Sequence, residues 1–237
     1  MPTGRQPSLA ELNSLLGPPQ ALPDRVYTLL RQQILTCAIL PGQRLNEKEI
    51  ADELRVSRTP LREALSRLSQ ENLVTRVPYS GYAVSPITEG AIRDLCESRL
   101  ILETAAAGLA AQRATPADLE RMAKLVELRY TPGDRNTYVQ YLKDNSHFHR
   151  ALAHASRNGH LESLIAAVLD ELQRPLYLGL DVGLDATAAT QEHVLLVEAI
   201  KGRDPAAARQ LQEDQIGRAN QRVIAAVMTQ QPRSDRA

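Results

Sequence analysis

Residues 46–73, NEKEIADELRVSRTPLREALSRLSQENL, hold two short helical patterns joined by a tight polar turn. Ile50, Ala51 and Leu54 share one face of the first pattern. Leu61, Ala64, Leu65 and Leu68 share one face of the second, at the spacing of amphipathic helices. Arg55 and Val56 lead into Ser57, whose hydroxyl is expected to cap the second helix, and Pro60 falls in the first turn, where a missing amide is tolerated. The stretch therefore reads as a helix-turn-helix.

The polar face of the second helix gives this unit a chemistry. Arg58 and Arg62 lie four apart, one above the other, with Thr59 beside them near the N-terminal end. A major groove admits an α-helix, and arginine can bond guanine O6 and N7 in a bidentate way. The plain alternative is a pair of solvated surface charges matched by a neighbour such as Glu63, which is the commoner fate of arginines on helices.

The next segment decides between them. Residues 73–77 and 82–84 are β-prone runs on either side of Pro78-Tyr79-Ser80-Gly81, which predicts a hairpin, and a hairpin directly after a helix-turn-helix is a wing. Leu40-Pro41-Gly42-Gln43-Arg44-Leu45, the SRTPLREAL run from Ser57, the exit Glu71-Asn72-Leu73-Val74 and the glycine Gly81 together resemble the GntR family of bacterial transcription regulators over residues 23–85. The resemblance implies that Lys48, Ser57, Arg58, Thr59, Arg62 and the wing tip at Ser80 and Gly81 contact a double-stranded DNA operator. Asn72 stands where glycine is common in the family, and asparagine tolerates the left-handed conformation that glycine would supply.

Length and composition set the frame. A chain of 237 residues suffices for one or two domains with a real core. Lysine plus arginine equals aspartate plus glutamate at 28 each, so any basic surface must be local. Cys37 and Cys96 are far apart in helical contexts, which fits reduced thiols rather than a disulfide framework. No apolar leader or membrane-length run stands out, and the expected location is the cytoplasm.

Residues 1–22 read as a mobile extension with one short helical pattern, Ser8 to Leu16, closed by Gly17-Pro18. A helix over residues 24–39 is expected to brace the recognition unit within a domain spanning 23–85. A linker at 86–89 follows, then a purely helical domain over 90–230 and a disordered tail at 231–237. Helices are expected over 88–114, 115–130, 136–156, 160–180, 185–201 and 205–228. The fold class is thus mainly α, a winged helix-turn-helix followed by an antiparallel helical bundle.

Within the bundle, polar residues sit on faces that should be apolar. Arg99 lies among Leu95, Leu102 and Ala106; Asn145 and His149 lie among Tyr138, Tyr141, Phe148 and Leu152; His193 accompanies Leu196, Val197 and Ile200; Gln215 accompanies Ala208, Leu211 and Ala219. Burying such groups is unfavourable unless they are bonded, so several helices each turning one inward predict a shared polar cavity. Arg99 has two readings, a partner for Glu103 or a counter-ion for an effector carboxylate, and the second is preferred.

Phe148 to Leu152, Ala155-Ser156 with Asn158, and Glu192-His193 with Glu198-Ala199-Ile200 resemble the FCD effector domain of the FadR branch of that family over about residues 90–225. In many such domains an aspartate and three histidines hold a divalent metal that helps to bind a small carboxylate. The matching positions here are Asn145, His149, His193 and Gln215, so only His149 and His193 remain as strong ligands, with Asn145 and Gln215 as weak ones. Neutral amides replace a carboxylate and an imidazole poorly. A weakly held metal and a metal-free pocket in which these groups bond the effector both stay open.

The expected function is a homodimeric, ligand-responsive transcription regulator, most often a repressor in this family, whose operator affinity changes when a small organic acid binds the bundle. Competing classes are a metal-responsive regulator, a helical-bundle metalloenzyme, and an architectural DNA-binding protein whose bundle only dimerises. The enzyme is disfavoured because neither a third strong ligand nor a nucleophile arrangement is evident.

Overall fold

The computed structural model describes residues 21–78, 81–131, 133–180 and 186–230. The expected helix at residues 8–16, the wing-tip residue Ser80 and the tail at 231–237 lie outside them. Two compact units divide the chain, one up to Ile87 and one from Thr88 onward.

The first unit runs α1 (Leu22–Leu35), β1 (Arg44–Leu45), α2 (Glu47–Leu54), α3 (Arg58–Gln70), β2 (Val74–Val77) and β3 (Gly81–Val84). Its core is built from the apolar faces of the three helices: Leu30, Ile34, Leu61, Leu65 and Leu68 are fully enclosed, with Val74 and Val84 of the hairpin beside them. Each such side chain contributes about 1.5–3 kcal/mol by leaving water. α1 ends earlier than expected because Cys37 adopts a left-handed conformation, which lets the Ala38 and Ile39 amides both reach the Gln33 carbonyl. Ile39 then folds back onto the core.

α2 is capped by the Asn46 side chain, which accepts from the Lys48 and Glu49 amides. Arg55, in the left-handed region, turns the chain toward α3. Ser57 occupies the N-cap position of α3, but its hydroxyl makes no cap bond. The reason is local: the third helical residue is Pro60, which has no amide hydrogen for a cap to accept. Asn72 ends the exit from α3 at φ 57°, the conformation expected of it. β2 and β3 form the wing, with Val77 opposite Gly81. β1, which sequence pattern did not reveal, pairs antiparallel to β3 and completes a sheet in the order β1-β3-β2.

The second unit contains α4 (Glu89–Arg113), α5 (Pro116–Ala123), α6 (Arg135–Ala155), α7 (Gly159–Glu171), α8 (Gln173–Leu180), α9 (Ala186–Lys201) and α10 (Pro205–Gln230). Thr88 caps α4, Thr115 and Asp118 form a reciprocal capping box on α5, and Asn158 caps α7. Two helices are shorter than their periodicity suggests. α5 stops at Ala123 because the following segment leaves to bury Leu128 against Tyr138, Tyr141 and Tyr177, its amide bonded to Thr190 Oγ1 at 3.0 Å. The span 160–180 breaks at Leu172, since Pro175 lacks an amide and its ring crowds the carbonyl of Glu171.

The small residues Ala106, Ala107, Gly108, Ala110 and Ala111 on α4 are buried and permit close helix approach. A methyl at Gly108 would fall 2.3 Å from Arg209 Nε. Across the α4–α10 contact, Gln212 Nε2 donates to Glu103 Oε2 at 2.8 Å and Asn220 Nδ2 donates to the Cys96 carbonyl at 2.8 Å. These bonds fix the helices that frame the bundle's cavity.

Candidate functional site

In the first unit, the short helices and the wing gather basic side chains around one concave surface. One groove is lined by Arg44, Lys48, Arg58, Arg62 and Gly81, and an adjoining one by Arg62, Arg76, Pro78 and Tyr82. Ser57, Arg58 and Thr59 stand exposed at the N-terminal end of α3. Arg62 is also exposed, but its Nε donates to Glu47 Oε2 at 2.8 Å. The hydrogen bond to Glu47, and then the charge of that carboxylate, raise the affinity of the Arg62 guanidinium for its proton. Its partner is therefore Glu47 across the turn, where the sequence suggested Glu63. Arg44 and Arg76 were missed because their placement beside the recognition helix depends on the strand pairing of β1 and β2 with β3.

α3 is braced from behind by α1. Tyr27 Oη donates to Glu71 Oε1, Arg31 Nε donates to Glu71 Oε2 at 2.9 Å, and the Arg67 guanidinium lies 3.9 Å from the Tyr27 ring centroid. Arg67 also reaches Asp24 at 2.5 Å. The face of α3 opposite these braces carries Arg58 and Arg62, so the bracing fixes the orientation of the exposed arginines.

In the second unit, a cavity of about 50 Å³ is lined by the polar residues Arg99, Asn145, His149, Glu192, Gln215 and Arg222. Tyr141, Leu142, Leu176, Leu180 and Val223 also line it. Arg99, Asn145, His149 and Gln215 thus meet at one space, as the inward polar pattern implied. His193 does not join them: it is fully buried behind His149 and stacks on Phe148 with ring centroids 3.7 Å apart. Arg222 was missed, although it lies seven residues beyond Gln215 and so on the same helical face.

Beneath the cavity lies a buried ionic network. Arg99 Nε donates to Glu103 Oε1 at 2.7 Å, and Arg99 Nη2 lies 3.2 Å from His149 Nε2. Glu103 Oε2 lies 2.5 Å from His149 Nδ1. His149 is thus held between the Glu103 carboxylate and the Arg99 guanidinium. Burial alone would push the Glu103 carboxyl up, but His149 and Arg99 outweigh it and hold it at about 2. Arg99 thus pairs with Glu103, the first of its two readings, and also lines the cavity.

Burial is the main cause that drives His193 down to about 2, so its ring stays neutral. The Val126 carbonyl faces the ring, yet neither ring nitrogen has a hydrogen bond of ordinary geometry. Gln215 Oε1 and Arg222 Nε are likewise buried without a hydrogen-bond partner.

The positions that the family resemblance connects with a divalent metal do not fit one. Two of the four carry neutral amides, His149 Nε2 already faces Arg99, and His193 lies off the cavity. Among the described residues no group of three His, Cys, Asp or Glu side chains is arranged to hold a metal. The cavity's own cations are Arg99 and Arg222.

Two family profiles match this architecture unit by unit. Residues 22–84 match the bacterial regulatory proteins of the gntR family, and residues 94–217 match the FCD domain. The Nta operon transcriptional regulator of Aminobacter aminovorans is 34% identical over 133 residues, 56% of this chain and 63% of its own length. The HTH-type transcriptional repressor RspR of Escherichia coli is 25% identical over 189 residues, 80% of this chain and 83% of its own. A solved GntR regulator from Rhodococcus sp. RHA1 is 25% identical, with a TM-score of 0.65 covering 87% of this chain and 99% of the other. With a basic winged helix-turn-helix in one unit and a helical cavity in the other, the chain belongs to the GntR family, as a DNA-binding transcriptional regulator carrying an FCD effector domain.

Proposed function

We propose that the protein is a ligand-responsive regulator, most simply a repressor, that binds its operator as a homodimer in the cytoplasm and changes its operator affinity when a small organic acid enters the FCD cavity. The observation that carries this reading is the cavity wall itself. Gln215 Oε1 and Arg222 Nε are buried and unpartnered at a space that also holds Asn145, His149 and Arg99. Unsatisfied buried polar atoms around a cavity await water or a ligand. With two arginines among them, an anionic group is favoured.

The tyrosine, leucine and valine side chains in the same lining suit a short apolar body. A cavity of about 50 Å³ is far smaller than the roughly 300–1,000 Å³ usual for metabolite pockets. A metabolite of ordinary size therefore enters only if the lining helices shift, and that shift is what couples the cavity to DNA. On the DNA side, Arg58, Thr59 and Arg62 read bases, while Lys48, Ser57 and the wing around Ser80 and Gly81 hold the backbone.

The test is a gel shift against the region upstream of the protein's own gene. Arg58→Ala and Arg62→Ala are each expected to weaken sequence-specific binding by about 1–3 kcal/mol, the range for one base contact. A library of small carboxylates is expected to contain a compound that raises the melting temperature and shifts operator affinity. Unchanged specific binding by both arginine variants would overturn the DNA reading, and a library with no such compound would overturn the effector reading.

A further inference from the structure

Glu47 presents a problem for a surface meant to meet a polyanion. It is the first residue of α2 and places a carboxylate in the groove that Arg44, Lys48, Arg58 and Arg62 line. The side chain is only 18% exposed, against 62% for Arg62, so the arginine reaches outward while its partner stays behind it. Glu47 Oε2 takes the Nε hydrogen of Arg62 at 2.8 Å. Its other oxygen lies against Gly81, 3.6 Å from where a Cβ would stand at the first residue of β3. From the start of α2, one carboxylate therefore bonds the recognition arginine and lies against the tip of the wing.

The geometry points to Glu47 as a positioning residue for base reading: it holds Arg62 by Nε, leaving the terminal guanidinium nitrogens to present a bidentate pair of donors to a guanine edge. This rests on the DNA-reading role proposed above. An arginine side chain has many rotamers, and a fixed fork matches O6 and N7 where a loose one also serves phosphates. Glu47 then has two opposed effects. Its charge weakens attraction to any DNA, and its hold on Arg62 sharpens the choice of one base pair.

The experiment uses the full chain. Wild-type protein first selects its preferred site from a random-sequence duplex library. Fluorescence anisotropy then measures that site, each single-base variant of it and an unrelated duplex against wild type, Glu47→Ala, Glu47→Gln, Arg62→Ala and the Glu47→Ala/Arg62→Ala double variant. Circular dichroism melts verify that each variant is folded. Glu47→Ala is expected to lose about tenfold on the selected site, the scale of one base contact. It should flatten preference at the same base pair as Arg62→Ala, and should bind the unrelated duplex more tightly.

The double variant should bind no worse than Arg62→Ala alone. Glu47→Gln, which keeps an acceptor for Nε but no charge, should retain most of the base preference. The inference is overturned if Glu47→Ala keeps the wild-type preference, flattens a different base pair, or adds its full loss to that of Arg62→Ala. If wild type enriches no sequence at all, the DNA-reading role fails and takes this inference with it.

Discussion

Glu103 is met by three side chains in the interior of the FCD unit: Arg99, His149 and Gln212. Removing one member of a buried ion pair leaves the other charge uncompensated, which typically destabilises by about 3–5 kcal/mol. Glu103→Gln is therefore expected to lower stability by about 3 kcal/mol, read by chemical denaturation. Acid separates the buried groups. His193 has a folded value of about 2 against an ordinary value of 6.5, so the unfolded chain binds its proton first. The neutral ring's contribution is full above pH 6.5 and is lost as pH falls from there toward 2.

Glu103 is likewise depressed to about 2, but from an ordinary value of 4.5, so its contribution starts to fade only below that. Between pH 6.5 and 4.5 the decline belonging to these two groups comes from His193, at about 1.4 kcal/mol per pH unit. His193→Phe, which keeps a ring to stack on Phe148, is expected to flatten stability over that window relative to wild type in denaturation series at stepped pH. The inward polar residues on four helices were legible from sequence because helical periodicity marks a face. It does not say how deep a residue sits, and that is why His193 was placed in the cavity instead of behind it.

At the level of elements, the helices with strong stripes and clear caps were legible, and so was the wing. The failures share a cause: tertiary contacts override local pattern. Residues 124–130 continue a helical periodicity, yet burial of Leu128 among tyrosines and the bond from its amide to Thr190 draw the chain away. The two-residue strand β1 is too short to carry a periodic signal, and without it Arg44 could not be placed beside the recognition helix. That placement separates two kinds of basic residue. Arg62 projects from a helix that fits a major groove, whereas Arg76 sits on strand β2, opposite Tyr82. Arg76→Ala is expected to weaken binding to every duplex by a similar factor and to reduce the slope of log affinity against log salt by about 1. An anisotropy titration across salt concentrations checks this. A loss confined to one base pair would instead make Arg76 a reader.

At the scale of the whole molecule, equal numbers of acidic and basic residues give no net attraction to DNA, so binding depends on how the local basic groove is presented. The ligand response proposed above needs only a modest coupling between units, typically about 1–3 kcal/mol, which changes affinity by roughly 5–150-fold. The ligand can supply that much only by binding one arrangement of the bundle better than another. The small cavity gives a way to block that choice without touching DNA contacts. Ala219 lines the cavity from α10 beside Gln215 and Arg222. Ala219→Leu would place a branched side chain in the space the ligand needs, at the overpacking penalty of about 1–3 kcal/mol usual for such insertions. The variant is expected to keep operator affinity within about threefold of wild type, because its change lies in a different unit from the basic groove. It should lose both the ligand's effect on operator binding and the ligand's rise in melting temperature. Operator affinity measured with and without the acid identified by the library screen decides the matter. A variant that still responds would show that the acid acts somewhere other than this cavity, and one that loses operator binding outright would show that the cavity's packing sets the DNA-binding state even without ligand.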